Sequence, residues 1–105
     1  MEDYWVYILR CADQSLYTGI AKDIERRLNE HNKGVKGAKY TRSRRPVSLA
    51  YLEVVSTRSD ALKREIDIKK LSKSAKNTLV SVMLEESRMH AQTCGLSLDA
   101  VGDLS

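Results

Sequence analysis

A chain of 105 residues has room for one modest core and not for two, and 42% hydrophobic with 30% charged residues is the balance of an ordinary folded domain rather than a disordered segment. The net charge of +4 is unevenly laid out: residues 1–84 hold 17 Lys and Arg against 10 acids, and residues 85–105 hold one Arg against four acids. The folded part is therefore more basic than the whole, which suits a polyanionic partner.

The chain begins Met-Glu-Asp, without a basic region ahead of its first apolar run, Trp5 to Leu9, so neither a signal peptide nor a membrane span is expected. Cys11 and Cys94 form neither a disulfide framework nor a zinc set, which points to a cytoplasmic protein. Residues 4–11 and 15–19 are rich in aromatic and β-branched side chains around the turn Ala12-Asp13-Gln14, and predict a hairpin. If Cys11 faces Ser15 across a three-residue loop, Tyr7 and Tyr17 share a face as diagonal neighbours; a two-residue loop would separate them.

From Lys22 to Asn32 the spacing turns helical, with Gly34 as a stop signal. At about 100° per residue, Leu28, His31 and Arg27 lie within roughly 60° of Ile24, while Arg26 points away. The stretch KGVKGAKYTRSRRP, 33–46, holds six Lys and Arg, two Gly and no acid, and predicts a mobile basic loop. Pro46 opens an almost unbroken apolar strand, Val47 to Val55, expected to be covered on both faces.

Thr57 with Asp60 marks the start of a second helix, ALKREIDIKKL. With Leu62 at zero, its apolar arc runs from about 240° through Ala61 and Ile68 to about 40° at Ile66. Glu65, at about 300°, falls inside that arc, whereas Lys63, Arg64, Asp67 and Lys70 fall outside it; a carboxylate so placed needs a partner. Ser72 caps a third helix with a stripe of Ala75, Leu79, Val82 and Met83 that runs to about His90. Two domain segments are expected, a folded unit over 1–84 and the helix end with an acidic tail, flexible or docked, over 85–105. The fold class is α+β: a small three-stranded antiparallel sheet flanked by helices, in the order β-β-α-β-α-α.

Phosphodiester hydrolysis needs a group to deprotonate water, a cation to offset phosphate charge and usually a metal. Tyr7 and Tyr17, Arg27 and Glu65 turn one of each toward a common interior. Each also has a plainer explanation. The tyrosines can be core filler, Arg27 half of an ion pair, and His31 a satisfied buried imidazole. Glu65 can pair with Lys69 one turn on, at about 340°. A phenol with a pKa near 10 needs cations such as Arg27 to lower it, or His31 to accept or relay its proton. In the basic loop, Lys33, Lys36, Lys39, Arg42, Arg44 and Arg45 read as phosphate contacts, with Tyr40 available to stack on a base; a merely solvated loop is the alternative.

The ordered pieces Trp5-Val6-Tyr7, Tyr17-Thr18-Gly19, Arg27 and Glu65, spread over Tyr4 to Val80, resemble the GIY-YIG nuclease superfamily. GAKYTRSRRP at 37–46 and LKREIDIKKLSK at 62–73 bring the chain nearest to its small stand-alone bacterial members of the YhbQ type. The resemblance implies a three-stranded antiparallel sheet flanked by helices and divalent-metal-dependent cleavage of nucleic acid, DNA foremost, with Mg²⁺ or Mn²⁺ held weakly until substrate arrives. It assigns Tyr7 as general base, Tyr17 as a site-lining proton relay, Arg27 to the phosphate, His31 to a helical position beside them and Glu65 to the metal. It takes Gly19 as the motif glycine where the chain leaves its strand. Trp5 stands where the motif has glycine, and Ile20 where repair-type members carry lysine. With no appended DNA-binding domain expected, the implied activity is structure-selective or weakly selective endonuclease-like cleavage in repair or recombination. A non-catalytic nucleic-acid-binding module on the same fold is the reading from another class.

Overall fold

A computed structural model describes residues 3–98. Strands β1 (Tyr4–Arg10) and β2 (Leu16–Ala21) form the hairpin, and β1 also pairs antiparallel with β3 (Ser48–Val55), giving a sheet in the order β2-β1-β3. The Cys11 N–H donates to the Ser15 carbonyl at 2.9 Å and Leu9 faces Tyr17, so the loop is the three-residue one and the two tyrosines are diagonal neighbours. Gln14 takes the left-handed position of the turn, φ 70°, and the Ser15 N–H donates to Asp13 Oδ1.

The described residues also form five helices: α1 (Ile24–Asn32) and α2 (Lys39–Arg42) before β3, then α3 (Arg58–Lys69), α4 (Lys73–Val82) and α5 (Leu84–Thr93). Asp23, Thr57 and Ser72 cap α1, α3 and α4 by accepting the backbone N–H three residues on. The two faces of the sheet carry separate clusters. Tyr7, Leu9, Leu49 and Leu52 pack with Ile24 of α1, Ala91 of α5 and Leu98; Val6, Ile8, Ala50 and Tyr51 pack with Ala61 and Ile68 of α3 and Val80 of α4. β3 is thus covered on both sides, as its apolar run predicts, and Ala50 is an extra residue in its pairing with β1.

The expected order holds, with five corrections. The basic segment is not a free loop: it contains α2 and is pinned on several sides. Asn32 exchanges two bonds with Val47, its Nδ2 donating to the carbonyl at 2.9 Å and its Oδ1 accepting the N–H at 2.8 Å. The Ala12 N–H donates to the Arg44 carbonyl, and Thr41 is fully buried. The third helix breaks at Met83 into α4 and α5, and within it Val80 is buried while Val82 is 72% exposed. On α3 the buried face centres on Ala61 and Ile68, leaving Ile66 52% exposed. Arg64, expected in solvent, instead donates to Glu53 Oε1 at 2.9 Å, and Glu53 accepts the Tyr51 hydroxyl. Finally, β2 continues two residues past Gly19, which is therefore an interior strand residue.

Residues 85–98 are built into the same core. Ser87 and Ala91 are fully buried and Leu98 is 8% exposed, while Glu85 and Glu86 occupy the first turn of α5, where they complement its dipole. The acidic tail beyond Leu98 lies outside the described residues. Among the described residues, no helix is long and apolar enough to cross a membrane.

Candidate active site

Tyr7 stands at the centre of the middle strand and is 1% exposed. Its partner across the hairpin is Gly19, and a Cβ there would lie 2.5 Å from the phenol oxygen. The glycine is needed as an absence of side chain: it lets the Tyr7 ring lie flat across the edge strand and carry its hydroxyl to α1. There the hydroxyl meets Nε2 of the fully buried His31 at 2.8 Å. On the other side of the imidazole, Nδ1 lies 2.9 Å from Thr41 Oγ1, and Thr41 donates to the Ala38 carbonyl at 2.9 Å.

Tyr17 completes the enclosure. Its ring meets the His31 ring edge-on at a centroid distance of 5.2 Å and stacks on Tyr40 at 5.9 Å. Arg27, on the same helix as His31, donates to Glu30 Oε1 and to the Lys36 carbonyl, both at 2.9 Å, and keeps 29% of its side chain in solvent. Arg26 pairs with Glu30 from outside, with 70% of its side chain exposed, as the helical spacing predicts.

Burial dominates the acid-base character of the pair. It pushes the Tyr7 phenol up to about 12 against the lowering influence of the Arg27 guanidinium, while the charges of Tyr17 and Glu65 push the same way as burial. Burial, and then the Arg27 charge, hold His31 down at about 4. At neutral pH the phenol is protonated and the imidazole neutral. Arg27 lowers the phenol as expected of a nearby cation, but desolvation outweighs it.

Glu65 lies on the sheet-facing side of α3, 17% exposed at its side chain, with Lys69 Nζ 3.4 Å from Oε2. This is the plainer partner foreseen for it. Lys69 itself is half in solvent, and such pairs contribute only about 0.3–0.5 kcal/mol. The Glu65 charge adds the smallest of the influences that raise the Tyr7 phenol. Among the described residues no three His, Cys, Asp or Glu side chains converge on a cation site. A single carboxylate is nevertheless a hard-oxygen donor, which suits a small divalent ion that keeps its waters and takes its remaining ligands from a phosphate.

The basic segment divides in two. Lys33, Lys36, Lys39 and Arg42 are exposed. Arg45 turns inward and donates to the carbonyls of His31, Gly34 and Glu30 at 2.7, 2.8 and 3.4 Å, closing the C-terminal end of α1. Arg44 pairs with Asp13 at 3.0 Å and lies over the Tyr40 ring, 3.9 Å from its centroid. Tyr17 stacks on the same ring, which is still 37% exposed, so a base would compete with two groups already on it. Sequence reasoning missed Thr41, because a single turn of helix leaves no periodic signal. It also missed the Tyr51–Glu53–Arg64 cluster, although a carboxylate inside LAYLEVV was a visible anomaly.

Residues 3–79 match the family model described as the GIY-YIG catalytic domain, and the chain belongs to that family. Among its relatives are small bacterial chains. A UPF0213 protein of Staphylococcus saprophyticus is 54% identical over 81 residues, covering 77% of this chain and 98% of the relative. One from Desulfotalea psychrophila is 58% identical over 77 residues, covering 73% and 70%. The solution NMR structure of a UPF0213 protein from Bacillus halodurans superposes with a TM-score of 0.51 at 42% identity, over 76% of this chain and 84% of that one. An NMR structure of an E. faecalis protein gives 0.53 at 36% identity, over 80% and 90%.

Proposed function

We propose that this protein is a divalent-metal-dependent, endonuclease-like hydrolase of nucleic-acid phosphodiester bonds. It acts on DNA, by structure or with little selectivity, in a cytoplasmic repair or recombination setting. The observation that carries this reading is the buried Tyr7–His31 hydrogen bond beside a partly exposed Arg27, joining a proton donor, a proton acceptor and a phosphate-sized cation on one helix and strand.

Tyr7 gives its proton to His31 and, as phenolate, takes one from the attacking water. The resting values of about 12 and about 4 oppose that transfer, so it needs positive charge placed at the phenol oxygen rather than at the imidazole. Arg27 supplies part of that charge within the chain and offsets the charge that builds on the phosphoryl oxygens. Tyr17 walls the imidazole from solvent. Mg²⁺ or Mn²⁺, held by Glu65 with substrate, would add Lewis-acid neutralisation of a phosphate oxygen. Lys33, Lys36, Lys39 and Arg42 form the outer phosphate-contacting surface.

The sealed, neutral state of Tyr7 and His31 and the Glu65–Lys69 pair favour one rival, a nucleic-acid-binding module without turnover. Wild type, Glu65→Gln and Arg27→Ala on single-stranded, duplex, flap and branched DNA, with Mg²⁺, Mn²⁺ or chelator, separate the two. Cutting by wild type that requires the metal and is lost in both variants is the enzyme's result. Binding by all three proteins without cutting is the module's.

A further inference from the structure

His31 has a protein partner on each ring nitrogen, at 2.8 and 2.9 Å, and no exposure to solvent. A neutral imidazole carries one ring proton, so one nitrogen donates and the other accepts. Thr41 decides which. Its hydroxyl has a single proton, and the Ala38 carbonyl, 2.9 Å away, can only accept. With that proton committed to Ala38, Thr41 Oγ1 faces His31 as an acceptor. Nδ1 therefore carries the ring proton, and Nε2 presents a bare lone pair to Tyr7. Every proton in the chain Tyr7, His31, Thr41, Ala38 then points the same way.

We propose that Thr41 is a positioning residue that fixes His31 as its Nδ1–H tautomer and so makes Nε2 the acceptor for the Tyr7 proton. This rests on the reading of Tyr7 as the base. The backbone explains how Thr41 arrives there. A Cβ at Gly37 would lie 2.5 Å from the Glu30 carbonyl and 2.8 Å from His31 Cα, so the glycine lets the chain run directly against α1. One helical turn later Thr41 is fully buried on the imidazole.

A hydroxyl here does different work from a carboxylate. A carboxylate would hold the same tautomer but stabilise the imidazolium and raise the ring's pKa. The hydroxyl leaves the ring neutral, as its burial also requires. In the transfer, the Tyr7 O–H bond breaks, an N–H bond forms on the Nε2 lone pair, and the negative charge stays on the phenol oxygen on the side of Arg27. The water's proton then closes the phenol again, and the imidazolium passes its extra proton to solvent, which restores the neutral pair.

The test is a two-bond ¹H–¹⁵N correlation of the histidine rings, with His90 as internal reference, on wild type, Thr41→Val and Thr41→Ser. Wild type and Thr41→Ser are expected to show His31 with a protonated Nδ1 and an unprotonated Nε2. Thr41→Val, of nearly equal shape but without an acceptor, is expected to move the proton to Nε2. On Mg²⁺-supported flap cleavage, Thr41→Val should lower kcat about 10²-fold, with KM within about twofold, and Thr41→Ser should restore it. A wild-type His31 protonated on Nε2 overturns the proposal, and so does a Thr41→Val protein with unchanged tautomer. If Thr41→Val does not fold, wild type and Thr41→Ser decide by themselves: Nδ1–H in both upholds the proposal, and Nε2–H in either sinks it. A wild type that cuts no substrate refutes the nuclease reading while leaving the tautomer measurement intact.

Discussion

At the scale of single residues, the site depends on groups chosen for what they lack as much as for what they carry. Gly19 has to be without a side chain for Tyr7 to reach His31, so Gly19→Ala should displace the phenol, cost about 1–3 kcal/mol in a chemical-denaturation midpoint and remove cleavage. Thr18, its neighbour on the opposite face, is 3% exposed with an unpartnered hydroxyl. Thr18→Val should therefore stabilise the fold by about 1 kcal/mol in the same assay. The buried pair also sets a pH window. His31 falls from 6.5 to about 4 on folding, so between those values the unfolded chain binds more protons; its contribution, up to about 3 kcal/mol, is complete above pH 6.5 and lost toward pH 4. Tyr7 rises from 10.0 to about 12, so its contribution is complete below pH 10 and lost as pH climbs through 12. Stability should plateau between these limits, and His31→Gln should flatten the acid limb.

At the scale of elements, two arginines orient helices. Arg45 binds the His31 and Glu30 carbonyls near the end of α1, which carry the helix's partial negative charge, and it thereby holds the turn that bears His31. Arg45→Ala should cost about 2 kcal/mol of unfolding free energy, more than any exposed lysine of the same segment. Arg64 fixes the rotation of α3 through Glu53 on β3. That explains why Ala61 and Ile68 face the sheet and Ile66 does not. Apolar spacing alone put the centre of this helix's buried face too near Leu62, because an ion pair to a neighbouring strand leaves no trace in a helical repeat.

For the whole molecule, charge and core occupy separate layers. A three-stranded sheet with α1 and α5 on one face and α3 and α4 on the other brings residues 7, 17, 27 and 31 to the edge-strand side, with exposed Lys33, Lys36, Lys39 and Arg42 running outward from them. Counterion release makes the slope of log affinity against log salt a measure of how many phosphates the protein neutralises. Replacing Lys36, Lys39 and Arg42 together by Ala should flatten that slope by roughly 2–3, at about 0.7–0.9 for each phosphate left without its cation. Arg45→Ala should leave the slope unchanged, since its guanidinium is spent on carbonyls.

Much of this was legible in one dimension. Period-two and period-3.6 spacing place the hairpin, α1, β3 and the start of α3, because local burial is a local property of the chain. The order of Tyr7, Tyr17, Gly19, Arg27 and Glu65 carries the family. What only the tertiary structure decided are the partners supplied by distant segments. These are the Thr41 hydroxyl on His31, the carbonyls that occupy Arg45, the Arg44 and Tyr17 groups that cover Tyr40, and the Glu53 that turns Arg64. Hydrogen bonds and desolvation act over a few ångströms of space whatever the separation along the chain, so the state of each functional group is set by neighbours that no spacing in the sequence records.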